Sequence, residues 1–229
     1  MNNTQKTLLA VYLPLTLLLL IFDHLYPAAD MVQYLRYTVM ITLFLSVTSM
    51  SKKYQEQRIM AIAFFFVVIA DFFLVFSTTW HLSIDLSPLG GMGFLLAYLC
   101  LIAAYQRNFR IGWPEVLSAI PIALIFFWVF LILKPYVQGG PMLIGALLFG
   151  IVLCYMTWTA VSTVYRGYYS PKIARLIALS GSLMFISDMG VAISMFHPDY
   201  AGVFVPWLKN FVWATYVPGW TLLALVISD

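Results

Sequence analysis

Long apolar runs alternate with short polar stretches along the whole chain, and the runs have membrane length. A hydrocarbon core of about 30 Å is crossed by roughly 20 helical residues. Eight runs meet that measure, at approximately 7–25, 32–50, 59–77, 89–106, 114–133, 141–164, 173–196 and 206–227. Pro114, Pro141 and Pro206 each open a run, where the missing N–H costs nothing. Pro14, Pro121 and Pro218 fall inside runs, where neighbouring helices can satisfy the freed carbonyls. The pattern predicts an all-α integral membrane protein, a bundle of eight transmembrane helices forming a single domain over residues 1–229.

Composition agrees. Of 229 residues, 63% are hydrophobic and 9% charged, and the mean hydropathy is +0.94. Soluble domains carry roughly 25% charged residues, so the solvent here is lipid. The net charge of +3 is small and its cations are scattered between runs, which argues against nucleic acid and for anchoring at a membrane surface. Cys100 and Cys154 lie inside apolar runs, where neither a disulfide framework nor a zinc site is expected.

Charge sets an orientation. Lys6, Lys52, Lys53, Arg58, Arg107, Arg110, Arg166, Lys172 and Arg175 fall on one side, while the opposite loops hold Asp23, Asp30, His81, Asp85, Lys134, His197 and Asp199. Cytoplasmic loops are the basic ones, so both termini are expected inside, in a multi-pass protein of the cell (inner) membrane if the cell is bacterial. Overlaying Asp71 on Asp188 also brings runs one to four onto runs five to eight. A parallel four-helix duplication would produce that overlay, and so would equal spacing of eight helices.

Polar residues inside the runs carry the candidate chemistry. Asp71 and Asp188 each sit in a membrane-length helix, at an insertion cost of roughly 2.5–3.5 kcal/mol that marks a functional site by default. At ~1.5 Å per residue, Asp71 lies about 9 Å from its outer end, Asp188 about 12 Å, and Arg36 about 8 Å. Tyr98 and Tyr216 fall near mid-membrane. Convergence of these five in one layer would make a shared polar cavity. Each also has a plainer reading: a neutral hydrogen-bonded acid, a snorkelling arginine, or packing tyrosines. Ser180, Gly181 and Ser182 read as a close helix approach. His24, His81 and His197 lack metal-ligand spacing, so no metal is expected.

Two carboxyls in one low-dielectric cavity resist double ionisation, so one keeps its proton. That supplies a general acid beside a general base. A guanidinium at similar height would hold the charged acid or grip a phosphate. The sequence has no Ser-His-Asp spacing, phosphate loop or cysteine nucleophile to support acyl-enzyme or nucleotide chemistry.

ADFFLVF around Asp71, GMGFLLAYLCLIAAY, GSLMFISDMGVAISMF around Asp188, and TYVPGWTLLALVI resemble the YhhN family, the lysoplasmalogenase-like membrane proteins of eight helices. The resemblance covers most of the chain. It implies hydrolysis of the vinyl-ether bond of a lysoplasmalogen or related lysophospholipid, without cofactor, by the aspartates matching Asp71 and Asp188. The outer-half depth of the polar layer suits a lysolipid entering sideways, with Arg36, Tyr98 and Tyr216 as the expected substrate contacts and membrane lipids around. Ala70 stands where that family usually has Gly, Tyr98 where His is frequent, and Trp220 where Gln or His is found. Near the start of run two, Arg36-Tyr37 replaces a Lys-Pro pair. The alternative from another class is a small transporter or lipid-handling protein using the same acids as a proton relay.

Overall fold

A computed structural model describes residues 2–26, 29–81, 83–137, 139–200 and 205–229, without the side chains of Pro141 and Pro206. The described residues are helical, with no strand. The helices are α1 (Asn3–Leu25), α2 (Asp30–Ser49), α3 (Gln55–Asp71), α4 (Ser87–Tyr105), α5 (Trp113–Leu133), α6 (Gly140–Arg166), α7 (Pro171–Phe196) and α8 (Pro206–Ile227). Among the described residues, eight segments are long and apolar enough to cross a membrane, one to each predicted run. Several begin before their apolar run because polar residues start them. Asn2 Oδ1 accepts from the Gln5 N–H at 2.7 Å, and Gln57 Oε1 accepts from the N–H groups of Lys53 and Tyr54 at 2.8 and 3.1 Å. These bonds satisfy donors that a helix start leaves open.

The third run departs from a plain helix. α3 ends at Asp71; Phe72–Phe76 continue as a π turn and Ser77–Trp80 as a 3₁₀ turn. The hydroxyls of Ser77, Thr78 and Thr79 donate to the carbonyls of Phe73, Val75 and Phe76, occupying acceptors that the changed winding would leave open. Phe72, Phe76 and Trp80 pack ring on ring along this segment, and Tyr37 of α2 meets Phe72 and Phe76.

Both termini lie at one end of the bundle. Asn2 Nδ2 donates to the Ser228 carbonyl at 2.7 Å, and Gln5 Nε2 donates to Leu225 O and to the Asp229 carboxylate. α8 is the most buried span and α5 the least. α8 packs on α7 and α1 and also touches α2 and α3; α3 packs on α4, and α6 on α4, α5 and α7. Small residues set the closest approaches. A methyl at Gly93 would stand 2.9 Å from the Ala70 Cβ and 3.0 Å from its backbone, and one at Gly181 would stand 2.6 Å from the Ala160 Cβ. Ser180 Oγ donates to the Gly219 carbonyl at 2.8 Å and Ser187 Oγ to the Val212 carbonyl at 3.2 Å, so two hydroxyls join α7 to α8. Ser180 and Gly181 thus occupy close contacts, while Ser182 is half-buried.

Candidate active site

Asp71 occupies the last position of the regular part of α3, and Asp188 sits on α7 beyond its middle. Both are buried, at 2% and 8% exposure. Each carboxylate accepts from a tyrosine of another helix. Tyr216 of α8 donates to Asp71 Oδ2 at 2.8 Å, and Tyr98 of α4 donates to Asp188 Oδ2 at 2.5 Å. Phe94, one turn before Tyr98, has its ring centroid 6.0 Å from those of Tyr98 and Tyr216. Two carboxyl–phenol couples therefore sit side by side, drawn from four helices.

Their placement follows from the local sequence. Gly93 has no side chain where α4 crosses α3 at Ala70, so Tyr98 and Asp71 come from helices in tight contact. The methyl of Ala70 is accommodated by that bare glycine. Ser187 and Ser180 bring α8 onto α7, which carries Tyr216 toward the layer of Asp188. Trp220, one turn beyond Tyr216, is fully buried against Phe64 at 5.1 Å, and its indole N–H has no hydrogen-bond partner.

Arg36 takes a different partner from the two site aspartates. Its guanidinium is 2.6 Å from the carboxylate of Asp23 on α1, both side chains being 4% exposed, and it donates to Gln33 Oε1 at 3.0 Å. It also lies over the Trp213 ring, 4.8 Å from its centroid. Trp213 in turn meets Tyr216 edge-on at 5.3 Å. The cation thus connects to the Asp71 couple through an aromatic contact and is neutralised by Asp23. Sequence reading assigned Asp23 to an outer loop, whereas it is a helical, buried residue. Its sequence signal was its place in the last turn of the first run, across a short turn from the helix that carries Arg36 nearly two turns in. Trp213 carried no sequence signal, because an aromatic inside an apolar helix also suits ordinary packing.

A metal has no evident seat: no group of three or more His, Cys, Asp or Glu side chains converges among the described residues. The chemistry the site can perform is proton transfer between buried carboxyls oriented by phenols.

No curated protein and no solved structure matches the chain. A family model matches residues 31–227, a span that includes Arg36, Asp71, Tyr98, Asp188 and Tyr216, and is described as the YhhN family. With a match over most of its length, the chain belongs to the YhhN family.

Proposed function

We propose that this protein is a lysoplasmalogenase-like hydrolase that cleaves the vinyl-ether bond of a lysophospholipid, with Asp71 and Asp188 as the acid/base pair. One observation carries the reading: two buried carboxyls, each held by a tyrosine hydroxyl from a second helix, with the ring of Phe94 6.0 Å from both phenol rings. Family membership agrees with it.

In the proposed reaction one carboxyl delivers a proton to the β-carbon of the enol ether. The electron pair of the C=C bond forms the new C–H bond, leaving an oxocarbenium ion. The other carboxylate faces that cation and takes a proton from the attacking water, which adds to the cationic carbon. The hemiacetal then collapses to a fatty aldehyde and the glycerophospho-base, and the net change is addition of one water. Tyr98 and Tyr216 orient the two carboxyls, and the ring of Phe94 between them lends an electron-rich face to the cation. The substrate enters from the bilayer, headgroup toward Arg36 and chain among the helices, by parting contacts beside the π turn that follows Asp71. Such single-turn irregularities recur at functional sites in helices. In this reading the termini are cytoplasmic and the site lies in the outer half of the membrane.

The test is aldehyde release from a lysoplasmalogen by purified variants in detergent. Asp71→Asn and Asp188→Asn should each lose about 10²–10⁴ of the rate while remaining folded. Tyr98→Phe and Tyr216→Phe each remove the hydrogen bond that orients one carboxyl and should cost roughly ten- to a hundredfold in kcat. Full activity in either Asn variant would remove that aspartate from the reaction.

A further inference from the structure

At the end of the bundle that carries the termini, a second polar cluster surrounds Arg166, the last residue of α6, where Gly167 at φ 67° turns the chain back toward α7. The sequence reads Arg166 as a loop cation, but its side chain is buried, at 4% exposure. The guanidinium carbon lies 5.1 Å from the Phe109 centroid and 5.4 Å from that of Trp158, in the corner formed by the two rings. Its Nη1 donates to the Tyr105 carbonyl at 3.4 Å. Nε and Nη2, the edge that binds two acceptor oxygens side by side, have no partner.

Neighbouring charges do not supply one. Arg107 pairs with Glu56 at 2.8 Å and Arg110 with Glu115 at 3.4 Å. Glu115 is near enough for Arg166 to feel its charge, yet it faces Arg110 and no salt bridge reaches Arg166 among the described residues. Glu115 Oε1, approached by the exposed Arg110 at 3.4 Å, is itself buried without a hydrogen-bond partner, and three arginines against two glutamates leave one net positive charge in the cluster. Ser162, one turn before Arg166 on the same helical row, adds a buried hydroxyl without a partner. A buried polar group without a partner is costly, so a cluster of them calls for an occupant.

An apolar groove ends beside this cluster, at Trp158. α5 and α6 bound a cleft of about 680 Å³ facing the bilayer, lined by residues such as Ala123 and Phe127 of α5 and Ile151, Cys154 and Tyr155 of α6. Its lining includes Trp158, the ring against which the guanidinium rests. Side chains on a helix lean toward its N-terminus, so Arg166 leans from headgroup level down toward the groove.

The geometry points to a binding site for one anionic phospholipid of the leaflet at the termini end, its phosphate on the Nε–Nη2 edge of Arg166 and an acyl chain in the α5–α6 groove. Charge complementarity selects this occupant: the guanidinium edge takes the two non-bridging oxygens of a phosphate, and the net positive charge of the cluster favours a headgroup that carries no cation of its own. The site lies at the opposite end of α4 and α6 from the helix starts and does not depend on the proposed hydrolysis.

Native mass spectrometry and thermal unfolding of the delipidated full-length protein test this, with phosphatidylglycerol, phosphatidylcholine and inorganic phosphate added separately. Wild type should retain one phosphatidylglycerol in preference to phosphatidylcholine and unfold at a higher temperature with it. Arg166→Gln should weaken that retention roughly tenfold or more, the value of a hydrogen bond to a charged group. Ala123→Trp alters an exposed position and fills the groove; it should lose the phospholipid while keeping any stabilisation by inorganic phosphate. If phosphatidylcholine is held as well as phosphatidylglycerol, or Ala123→Trp retains the lipid as wild type does, the proposal fails. Stabilisation of wild type by inorganic phosphate alone, with no phospholipid retained, would overturn the lipid assignment in favour of a free oxyanion.

Discussion

Arg36 shows how a single side chain gains its meaning from a partner. Alone in an apolar helix it reads as a headgroup grip or a snorkelling anchor, and the structure buries it against Asp23 at 2.6 Å with Trp213 over its face. Removing one member of a buried ion pair costs about 3–5 kcal/mol because the survivor stays buried and charged. Arg36→Ala alone should therefore lower the unfolding temperature as well as impair catalysis. Arg36→Ala combined with Asp23→Asn removes both charges and should recover most of the stability. If Arg36 also grips the phosphate of the substrate, KM stays raised in the double variant; a KM restored along with stability would leave the arginine a structural role only. The two aspartates, by contrast, announce themselves in sequence, since an acid in a membrane-length apolar run is rare and costly. Their tyrosine partners do not. Tyr98 and Tyr216 are legible as polar positions in apolar helices, but their assignment to Asp188 and Asp71 respectively depends on which helices adjoin.

At the scale of the element, α3 is the informative case. Its apolar run is continuous through Ser77, and hydropathy has no means of showing that regular winding stops at Asp71. The π turn appears where aromatic side chains from α2 and from the segment itself pack together, a condition set by tertiary contact. The crossing of α3 and α4 at Ala70 and Gly93 is the second feature of this kind. A methyl at Gly93 would meet Ala70 backbone as well as side chain, so neither can give way cheaply. Gly93→Ala should destabilise the protein by roughly 1–3 kcal/mol, read as a lower unfolding temperature in detergent. It should also reduce activity, because the helices that carry Asp71 and Tyr98 are pushed apart there. An unchanged unfolding temperature would show that the crossing is looser than the contact distances state.

For the whole molecule, an even number of spans puts both termini at one end, and the clasp of Asn2 and Gln5 on Leu225, Ser228 and Asp229 ties them together there. The same end gathers Lys53, Arg107, Arg110, Arg166 and Lys172, the side expected to face the cytoplasm. Reporter fusions at residue 2 and residue 229 should both be active only in the cytoplasmic mode. A fusion active outside at either terminus would invert the orientation and with it the leaflet assigned to each site.

Sequence by itself determined the number of spans, their approximate limits, the lipid as solvent and the two acids as the costly positions. These are one-dimensional properties: a helix in a bilayer satisfies its own backbone, so its length and composition are written locally. Tertiary structure decided which tyrosine holds which acid, that Asp23 claims Arg36, that α3 changes its winding after Asp71, and that Arg166 is buried with an edge left without a partner. In lipid no hydrophobic force between helices selects neighbours, so pairing rests on small-residue contacts and on hydrogen bonds between distant positions. Those act across space, between residues as far apart in the chain as Asp71 and Tyr216, and come into being only when the bundle closes.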